Sequence, residues 1–472
     1  MPWPETIQPV RMQRVAIVTL GDGLRDALIR VADAGVVDLD RVDKPDVSGE
    51  AARRLQRLGA STSPPVLSAH RPDLEALERE HRVDLLAGEA ELEEVVSSAL
   101  QHGSVAALAG WCPGQELPAL AAQLADVGAA VVPMPAPRGV DPPTLLRPGG
   151  TIRRSFAPLV RTYGTVPYLD VDPTFLAGIA YVLMFGMMFG DAGHGLLLIA
   201  AAVLLRAGRP RRLARWRSAW PFVAGAGLAS SGFGVLYGEF FGPTGVVPVL
   251  WVAPLQEPVL LLEAAVAVGA VLLAAAYAVA IVNRWREGGP QLAIYASSGI
   301  AGAAVFLGIG CLTAGLYLRA DQVVVIGGLV TAMGLALAGV GFMAASGGGA
   351  AGAVQAGVQL FDIVIRIGSN LVSFARLAAF GLVHAALGSL VWHGTVGLFG
   401  LGGLAASVAA VLVFLLGNAV AFSLEALIVA IQSLRLEFYE LFSRVFAIEG
   451  RPFRPWQLPT DFTEDPSTRE AP

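Results

Sequence analysis

Long apolar runs, separated by short charged or Pro/Gly-rich breaks, occupy residues 173–446, whereas residues 1–172 carry charged helical patterns. A helix needs roughly 20 apolar residues to cross a hydrocarbon core of about 30 Å. Cutting the runs at their breaks predicts eight membrane-spanning helices: 173–189, 192–206, 217–241, 258–283, 298–318, 322–343, 357–392 and 403–446. The first two form a tight pair that turns at 190–195, and one long helix over 173–205 is the alternative.

The last two predicted spans are longer than a bilayer requires. At 1.5 Å per residue, about 36 residues over 357–392 extend about 54 Å, and about 44 residues over 403–446 extend about 66 Å. Helices of this length must tilt steeply or project into the cytoplasm. We expect either a tilted pair that wraps around another cylindrical membrane object or a helix that continues into water.

The composition indicates an integral membrane protein and excludes several other classes. Hydrophobic residues make up 54% of the 472 residues and charged residues only 15%, about ten percentage points below a soluble protein. A net charge of −5 provides no basic face for nucleic acid. Two cysteines, Cys112 and Cys311, cannot form a disulfide framework or a zinc site, so we predict neither a cofactor nor a metal. The sequence has no Gly-x-x-x-x-Gly-Lys-Ser/Thr phosphate loop, and ATP chemistry is not expected in this chain.

Charged residues between the spans predict the orientation. Segment 206–217 holds six arginines, whereas 242–257 holds no lysine or arginine. Because Lys and Arg concentrate in cytoplasmic loops, we expect both termini in the cytoplasm and a multi-pass chain in the cell (plasma) membrane. The predicted fold class is a mainly α membrane protein with a small cytoplasmic N-terminal α/β domain. The predicted domains are 1–172 before the membrane, 173–446 within it, and 447–472 as a short disordered cytoplasmic tail.

Ionisable side chains inside membrane spans are costly and indicate function by default. In this chain they concentrate in the last two predicted spans, as Asp362, Arg366, Arg376 and His384 in one and Glu425, Arg435, Glu437 and Glu440 in the other. Arg376 lies about 19 residues from the cytoplasmic start of its span, too deep to reach either surface easily. Ser369, Ser373 and other small residues on the same helix allow a second helix to approach closely.

The two arginines lie between polar groups on both helices. Arg376 and Arg435 stand in mid-path, with His384 and Glu425 on the outward side and Asp362 on the inward side. A guanidinium cannot deprotonate in proteins, so it blocks a proton leak between two polar routes that reach the middle from opposite faces. It also attracts a mobile carboxylate and helps to strip its proton, and that carboxylate must come from a partner. His384 alone could instead be a hydrogen-bonded core histidine.

The other charges also have structural interpretations. The two arginines could be buried ion-pair partners of Glu425 or Glu437. Asp362 and Arg366 are separated by one helical turn and could form a simple surface pair. Glu437 and Glu440 lie close to the cytoplasmic boundary, where we expect them to be solvated.

Four stretches of sequence resemble the a/I subunit of V-type and A-type rotary ATPases. They are PYLDVDPTFLAGIAYVLMFGMMFGDAGHG (167–195), YGEFFG (237–242), SNLVSFARLAAFGLVHAALG (369–388) and LEALIVAIQSLRLEFYELFSRVF (424–446). The resemblance implies a non-catalytic membrane stator subunit with two offset half-channels that pass protons or Na⁺. The implied partners are a rotating ring of c (K) subunits with one buried carboxylate each, peripheral stalk subunits of the E/G type, other V/A-ATPase subunits and membrane lipid.

The resemblance also assigns roles to individual residues. Arg376 matches the essential arginine of the Ser-Tyr/Phe-x-Arg-Leu motif, and Arg435 matches the second arginine, in Leu-Arg-Leu. Glu425 and His384 match the polar lining of the outward half-channel, and Asp362 matches the acidic residue of the cytoplasmic half-channel.

Further polar residues of these motifs receive supporting roles. Asp191 and His194 match the Gly-Asp-x-Gly-His/Tyr-Gly motif, and a polar cap on the first hairpin is the alternative interpretation. Glu437 departs from the histidine that more commonly follows Leu-Arg-Leu. The remaining possible polar support consists of Ser373, Asn370 and Glu440.

The N-terminal domain resembles the family more loosely, through GWCPGQELPALAAQL (110–124) and DPPTLL (141–146). The resemblance implies two lobes joined by a coiled-coil hairpin that binds peripheral stalks. Here a strand–helix pattern over 10–35 and a strand–helix–strand pattern over 104–134 predict one α/β lobe. Segment 49–95 supports only short helices, so we expect the hairpin and one lobe to be shortened or missing.

Two other function classes are left open by the residues alone. A secondary transporter with a mid-membrane binding site often has broken helices in both halves, but spans one to six hold no matching charged pair. A purely structural membrane anchor would not need two mid-membrane arginines. The resemblance, together with the two mid-membrane arginines, predicts the function of a rotary ATPase stator subunit.

Overall fold

The computed structural model describes residues 9–40, 49–59, 63–137, 139–147, 149–208, 211–446 and 449–461. These residues form two compact units. The N-terminal unit consists of residues 9–147 together with 450–461, and the helical unit consists of residues 149–449, both within the described ranges.

The N-terminal unit is a sheet with helices. Its strands are β1 (Met12–Leu20), β2 (Asp38–Leu39), β3 (Leu67–Ser68), β4 (Leu100–His102), β5 (Val105–Pro113), β6 (Ala130–Met134) and β7 (Thr460–Asp461). Its helices are α1 (Leu24–Ala34), α2 (Glu50–Arg57), α3 (Leu74–Arg79), α4 (Val83–Ser97) and α5 (Leu117–Ala125). The predicted strand–helix and strand–helix–strand patterns are confirmed by β1–α1 and by β5–α5–β6.

An antiparallel sheet forms the centre of this unit, in the order β2-β5-β1-β6 with β4 also on β5. Val15 and Ile17 of β1 are two residues apart and therefore point to the same face of the sheet. Both are fully buried and pack in one core with Leu28 of α1. Burial of alternate residues thus shows which face of β1 is covered.

The C-terminal segment, residues 450–461, is an ordered part of the N-terminal unit, so the prediction of a disordered tail is wrong there. Strand β7 pairs in parallel with β3. The Trp456 amide donates to Val37 O at 2.8 Å, and its indole Nε1 donates to Glu91 Oε1 at 3.1 Å. The apolar side chains of Trp456 and Leu458 supply the burial that a disordered tail would lack. The rest of the predicted tail, 447–448 and 462–472, lies outside the described residues.

The helical unit begins before the predicted domain boundary. Its helices are α6 (Thr151–Tyr163), α7 (Thr174–Met188), α8 (Ala192–Arg206), α9 (Trp220–Tyr237), α10 (Pro258–Tyr295), α11 (Ile300–Leu318), α12 (Asp321–Ala345), α13 (Gly349–Ser373), α14 (Ala375–Gly400) and α15 (Leu404–Leu436), followed by a π-helical segment, Glu437–Phe442, and a last turn, Ser443–Val445. The two units divide near residue 148 rather than 172. Phe156 and Leu159 of α6 explain this difference, because they belong to the core of the helical unit.

Six helices in the described part of the chain are long and apolar enough to cross a membrane. The predicted count of eight is therefore not confirmed. The difference lies in the first predicted pair, which forms two 15-residue apolar helices, α7 and α8. At 1.5 Å per residue each is about 22 Å long, short of the roughly 30 Å hydrocarbon core. A break between them is present at Phe189–Asp191, at the start of the turn predicted for 190–195.

The two unusually long helices at the end of the unit are confirmed. Helices α13 and α14 run on as one 52-residue apolar element, Gly349–Gly400, with only Phe374 between them. Helix α15 and its continuation form a 42-residue element, Leu404–Val445. Their lengths are about 78 and 63 Å. Helix α14 packs against α15, α10 and α7, which places the centre of both long elements beside the short pair.

Candidate functional site

Each of the two long helical elements carries one arginine that was predicted to be functional. Arg376 follows the break at Phe374, and Arg435 lies near the end of α15. The two guanidinium groups are close enough to repel each other, and Glu440 is close enough to attract Arg376. Arg435 is exposed, whereas Nη1 of Arg376 is buried and has no hydrogen-bond partner within the described ranges. Neither arginine forms an ion pair with Glu425 or Glu437 among the described residues.

The break at Phe374 is fixed by a close approach between helices. The Phe374 ring is fully buried against α10, where Gly269 leaves room for it. A Cβ at position 269 would lie 2.3 Å from Cγ of Phe374. The backbone just before Arg376 is therefore held by steric fit between α10 and the long helix.

A histidine cluster lies further along both helices in the same direction. We give this name to Asp191, His194, Glu239, His384 and Glu425. His384 is about 12 Å along α14 from Arg376, and Glu425 is about 15 Å along α15 from Arg435. His384 Nδ1 forms a close contact with Glu425 Oε2, and both side chains are buried. The structure thus brings together the two residues that were predicted to line the outward route.

Asp191 is the cap of α8 and also holds a loop. Its Oδ1 accepts hydrogen bonds from the His194 amide at 2.8 Å and from the Phe241 amide at 3.0 Å, and its Oδ2 accepts from the Gly242 amide at 2.8 Å. An uncapped helix start in an apolar environment would leave these donors unsatisfied. The polar-cap interpretation is therefore correct for Asp191, which also ties YGEFFG to the first hairpin.

His194 lies inside the cluster rather than on a surface. Its ring centroid is 5.6 Å from that of His384, with the two rings in an edge-to-face arrangement. Rings of Phe189, Phe241 and Phe422 lie 5.3–5.6 Å from it. Neither ring nitrogen of His194 has a hydrogen-bond partner in the described part of the chain.

Glu239 is a member of the cluster that the sequence reasoning missed. It is 4% exposed, and its Oε2 has no partner among the described residues. Asp191, Glu239 and Glu425 all lie close enough to His384 to act on its charge. The available signal was a carboxylate inside the otherwise apolar motif YGEFFG, immediately after a helix-ending glycine.

A second polar group, which we call the glutamate cluster, lies on the opposite side of the arginines. It contains Asn370, Glu440 and Arg444, and the buried Glu437 lies on the same π-helical segment as Glu440. With its amide oriented to suit its neighbours, Asn370 donates to Glu440 Oε2 at 3.0 Å and accepts from Arg444 Nη2 at 3.1 Å. Ser373 lies beside Glu440 and donates to Ser369 O at 3.1 Å.

The expectation that Glu437 and Glu440 are solvated is wrong. Glu437 is 0% exposed and Glu440 is 9% exposed. Neither carboxylate oxygen of Glu437 has a partner within the described residues. Both residues lie on the π-helical segment Glu437–Phe442, in which side chains after Glu437 take directions other than those of a continued α-helix.

Asp362 lies apart from both clusters. It is exposed and forms an ion pair with Arg366, one turn away on α13. This is the geometry of the simple surface pair that was the alternative interpretation. The structure does not bring Asp362 together with the other predicted site residues.

The sequence is similar to a family of ATPase subunits. Residues 96–216 match the profile of the V-type ATPase 116kDa subunit family. "V-type ATP synthase subunit I 2" of Treponema pallidum is 37% identical over 146 residues, 28% of this chain and 32% of that protein. "A-type ATP synthase subunit I" of Thermococcus kodakarensis is 24% identical over 403 residues, 79% of this chain and 57% of that protein. Human "V-type proton ATPase 116 kDa subunit a 3" is 36% identical over 155 residues, 30% of this chain and 19% of that protein. The chain thus spans less than two thirds of the length of each of these relatives.

Proposed function

We propose, since the chain belongs to the V-type ATPase 116kDa subunit family, that it is the non-catalytic membrane stator subunit of a V/A-type rotary ATPase. In this role it passes protons or Na⁺ to and from carboxylates on a rotating ring of c (K) subunits. Other subunits make or hydrolyse ATP. Six apolar helices of spanning length fit a subunit that lies in the membrane.

The observation that carries this proposal is the position of the two arginines between two separate buried polar clusters. The histidine cluster begins about 12 Å from Arg376 along α14. The glutamate cluster lies the other way, with Asn370 about 9 Å before Arg376 and Glu440 about 8 Å beyond Arg435. A permanent positive charge between two proton-accepting groups prevents a direct leak but leaves each group open to an exchange partner.

The proposed path starts at the histidine cluster. Glu239, Glu425 and His384 accept an ion from the outward side and pass it to a ring carboxylate. The neutralised carboxylate then leaves the polar surface and travels through lipid, where an ionised group would be costly. After nearly a full turn it reaches the arginines from the other side, gives up its ion and is held ionised by Arg376. Reversal of these steps pumps ions outward.

The glutamate cluster supplies the proposed cytoplasmic route. Glu440 is a buried carboxylate on which the charges of Arg376 and Arg435 act, and Glu437 is a buried carboxylate two residues after Arg435, whereas Asp362 is exposed and already paired with Arg366. We therefore assign the innermost acceptor of this route to Glu437 or Glu440 and keep Asp362 for its entrance.

The remaining parts of the proposal concern location and assembly. The chain lies in the cell membrane with both termini on the cytoplasmic side. The six arginines of segment 206–217 support this orientation, because Arg and Lys concentrate in cytoplasmic loops. The N-terminal unit contacts peripheral stalk subunits of the E/G type, and the long helices face the ring. Exposed apolar side chains along both long helices fit burial by lipid or by such a ring: Phe361, Ile365, Val372, Leu387, Leu390, Leu416, Val420, Leu424 and Ile431.

The test is ATP-driven ion uptake by the purified complex in inverted vesicles. We expect Arg376→Ala to abolish uptake of both H⁺ and Na⁺ while the ring and ATPase subunits still copurify. Arg212→Ala is the matched control, because Arg212 is an exposed arginine outside both clusters. Full uptake by the Arg376→Ala complex, or a chain that purifies without a ring and carries a solute alone, would overturn the assignment.

A further inference from the structure

The histidine cluster contains a set of donor atoms that suits a metal ion. Asp191, His194 and His384 each offer one ligand atom, and these three atoms all lie within 4.8 Å of one another. We propose that they form a binding site for a borderline transition-metal ion, Zn²⁺ by the chemistry of the donors, and that occupation of this site closes the outward route. The second half of this inference rests on the proposed function, and the first half does not.

His194 is the strongest indication of a ligand. Its side chain is 3% exposed, and neither ring nitrogen has a hydrogen-bond partner in the described ranges. Nδ1 lies 3.9 Å from Asp191 Oδ1, and Asn418 is a polar neighbour of the ring. Buried polar atoms without a partner are rare because each costs desolvation free energy. A metal ion at this position would satisfy one nitrogen of His194 with a stronger interaction than a hydrogen bond.

His384 is oriented as a metal-binding histidine is. Its Nδ1 contacts the Glu425 carboxylate, which leaves Nε2 as the free donor. Metal-bound histidines almost always give their other ring nitrogen to a carboxylate, a carbonyl or a water, and this contact fixes the tautomer and raises the basicity of the ligand. Glu425 would therefore be a positioning residue for the metal rather than a ligand.

Asp191 supplies the negative charge. Three backbone amides hold its carboxylate in one orientation. One aspartate and two histidines leave a fourth tetrahedral position for a water molecule, the arrangement of an open zinc site. Zn–N and Zn–O bonds of about 2.0–2.2 Å require ligand atoms about 3.4 Å apart, so each side chain has to move by about 1 Å or less.

The walls of the site are aromatic, which limits both water and the number of ligands. Phe189, Phe241 and Phe422 surround the His194 ring, and Phe189 also lies 5.0 Å from His384. Hard cations such as Mg²⁺ and Ca²⁺ need six or more oxygen ligands and do not fit such walls. Imidazole donors in a four-coordinate space select Zn²⁺, with Co²⁺ as its spectroscopic substitute.

A bound metal ion would stop ion transfer because it competes with the proton for the same atom of His384. Metal coordination uses the lone pair of His384 Nε2, and the same lone pair is needed to accept a proton. The ion also places two positive charges beside Glu239 and Glu425. Protons are then repelled from the route, and turnover of the ring ceases until the metal leaves.

The binding test uses the whole purified complex, prepared without a polyhistidine tag and titrated with CoCl₂. We expect one equivalent of Co²⁺ to give the visible absorption of a tetrahedral site in wild type, and ZnCl₂ to remove it. His194→Gln and His384→Gln should each lose this absorption. His393→Gln is the matched control, because His393 is an exposed histidine on the same helix as His384. Absence of the absorption in wild type, or its persistence in assembled complexes of both variants, would overturn the site.

The transport test separates this inference from the proposed function. Each complex is compared with its own zinc-free rate of ATP-driven ion uptake in inverted vesicles. We expect His194→Gln to require at least tenfold more Zn²⁺ than wild type or His393→Gln for half inhibition. If Co²⁺ binds but Zn²⁺ leaves uptake unchanged, the metal site stands and the route through His384 is wrong. If Co²⁺ does not bind, the metal site is wrong whatever happens to uptake.

Discussion

Replacement of Trp456 tests whether the C-terminal segment is held in the N-terminal unit by burial. The indole is 4% exposed and belongs to the same core as Val15 and Leu28. Its Nε1 donates to Glu91, and two backbone bonds depend on the segment that it anchors: Leu67 N donates to Pro459 O at 2.8 Å, and Ala69 N donates to Asp461 O at 3.1 Å. Trp456→Ala should therefore release the segment without unfolding the sheet.

The expected magnitude follows from the loss of a buried aromatic side chain. Replacement of a core Phe or Trp by Ala costs about 3–5 kcal/mol, and each 1.4 kcal/mol is tenfold in an equilibrium constant. The equilibrium constant for opening of the segment should therefore rise about 100- to 4,000-fold. If the free energy of opening in the wild type is smaller than this loss, the segment should be mostly open in the variant. Amides whose partners lie on the segment should exchange faster by the same factor.

Peptide-resolved hydrogen exchange on the full chain measures this change. In Trp456→Ala, peptides that contain Leu67 and Ala69 should exchange faster, whereas peptides from β1 and β5 should keep the wild-type rate. Arg454→Ala is the matched control, because Arg454 is exposed on the same segment. Unchanged exchange at Leu67 and Ala69 in a folded variant would refute the reasoning, and faster exchange throughout the sheet would show that the segment cannot open alone.

Three further changes test other parts of the chain. Glu239→Gln should slow ATP-driven ion uptake at least tenfold, because a buried proton acceptor is lost. The control, Glu263→Gln, changes an exposed carboxylate and should leave the rate unchanged. Equal rates in the two variants would show that Glu239 is not part of the route. Gly269→Ala should lower the midpoint of thermal unfolding of the purified complex by several degrees, because the new Cβ would overlap the Phe374 ring. The control is Gly310→Ala, whose Cβ would have no neighbour within 4 Å, and it should leave the midpoint unchanged. Burial, together with the neighbouring Glu287 carboxylate, raises the pKa of Asp170 to about 8, so the folded chain keeps a proton that the unfolded chain releases above about pH 4. Stability should therefore fall between about pH 4 and 8, and Asp170→Asn should flatten this dependence when unfolding midpoints are compared at pH 5 and pH 8.

The sequence was sufficient where one local pattern decides the structure. Apolar runs predicted most of the membrane-spanning helices and the excess length of the last two, because a helix that continues without a polar break has no reason to end. The strand patterns within 10–35 and 104–134 predicted β1 and β5 in the same way. His384 and Glu425 were both predicted to lie on the outward side of neighbouring helices, and the structure brings their side chains into contact.

Features that depend on contacts between distant segments were not accessible. His194 and His384 come together from the start of α8 and from α14, 190 positions apart in the sequence. The π-helical segment that carries the buried Glu437 and Glu440 leaves no clear signal in composition. Ordering of Trp456 requires a core that is formed by residues more than 300 positions away.

The break between α7 and α8 connects the architecture to the chemistry. Irregular backbone at membrane depth is tolerated only where protein buries it or where it lines a polar path. Here Asp191 accepts hydrogen bonds from the His194 amide after the break and from the Phe241 and Gly242 amides of the loop after α9, and the Ala192 amide donates to Glu239 O at 2.9 Å. These bonds are what place Glu239 and His194 beside His384. A continuous helix over 173–205 would need no cap, would release the loop 239–242, and would leave only His384 and Glu425 on the outward side. The short helices are therefore a requirement of the histidine cluster, because the same carboxylate that closes the helix start also assembles the polar group around it.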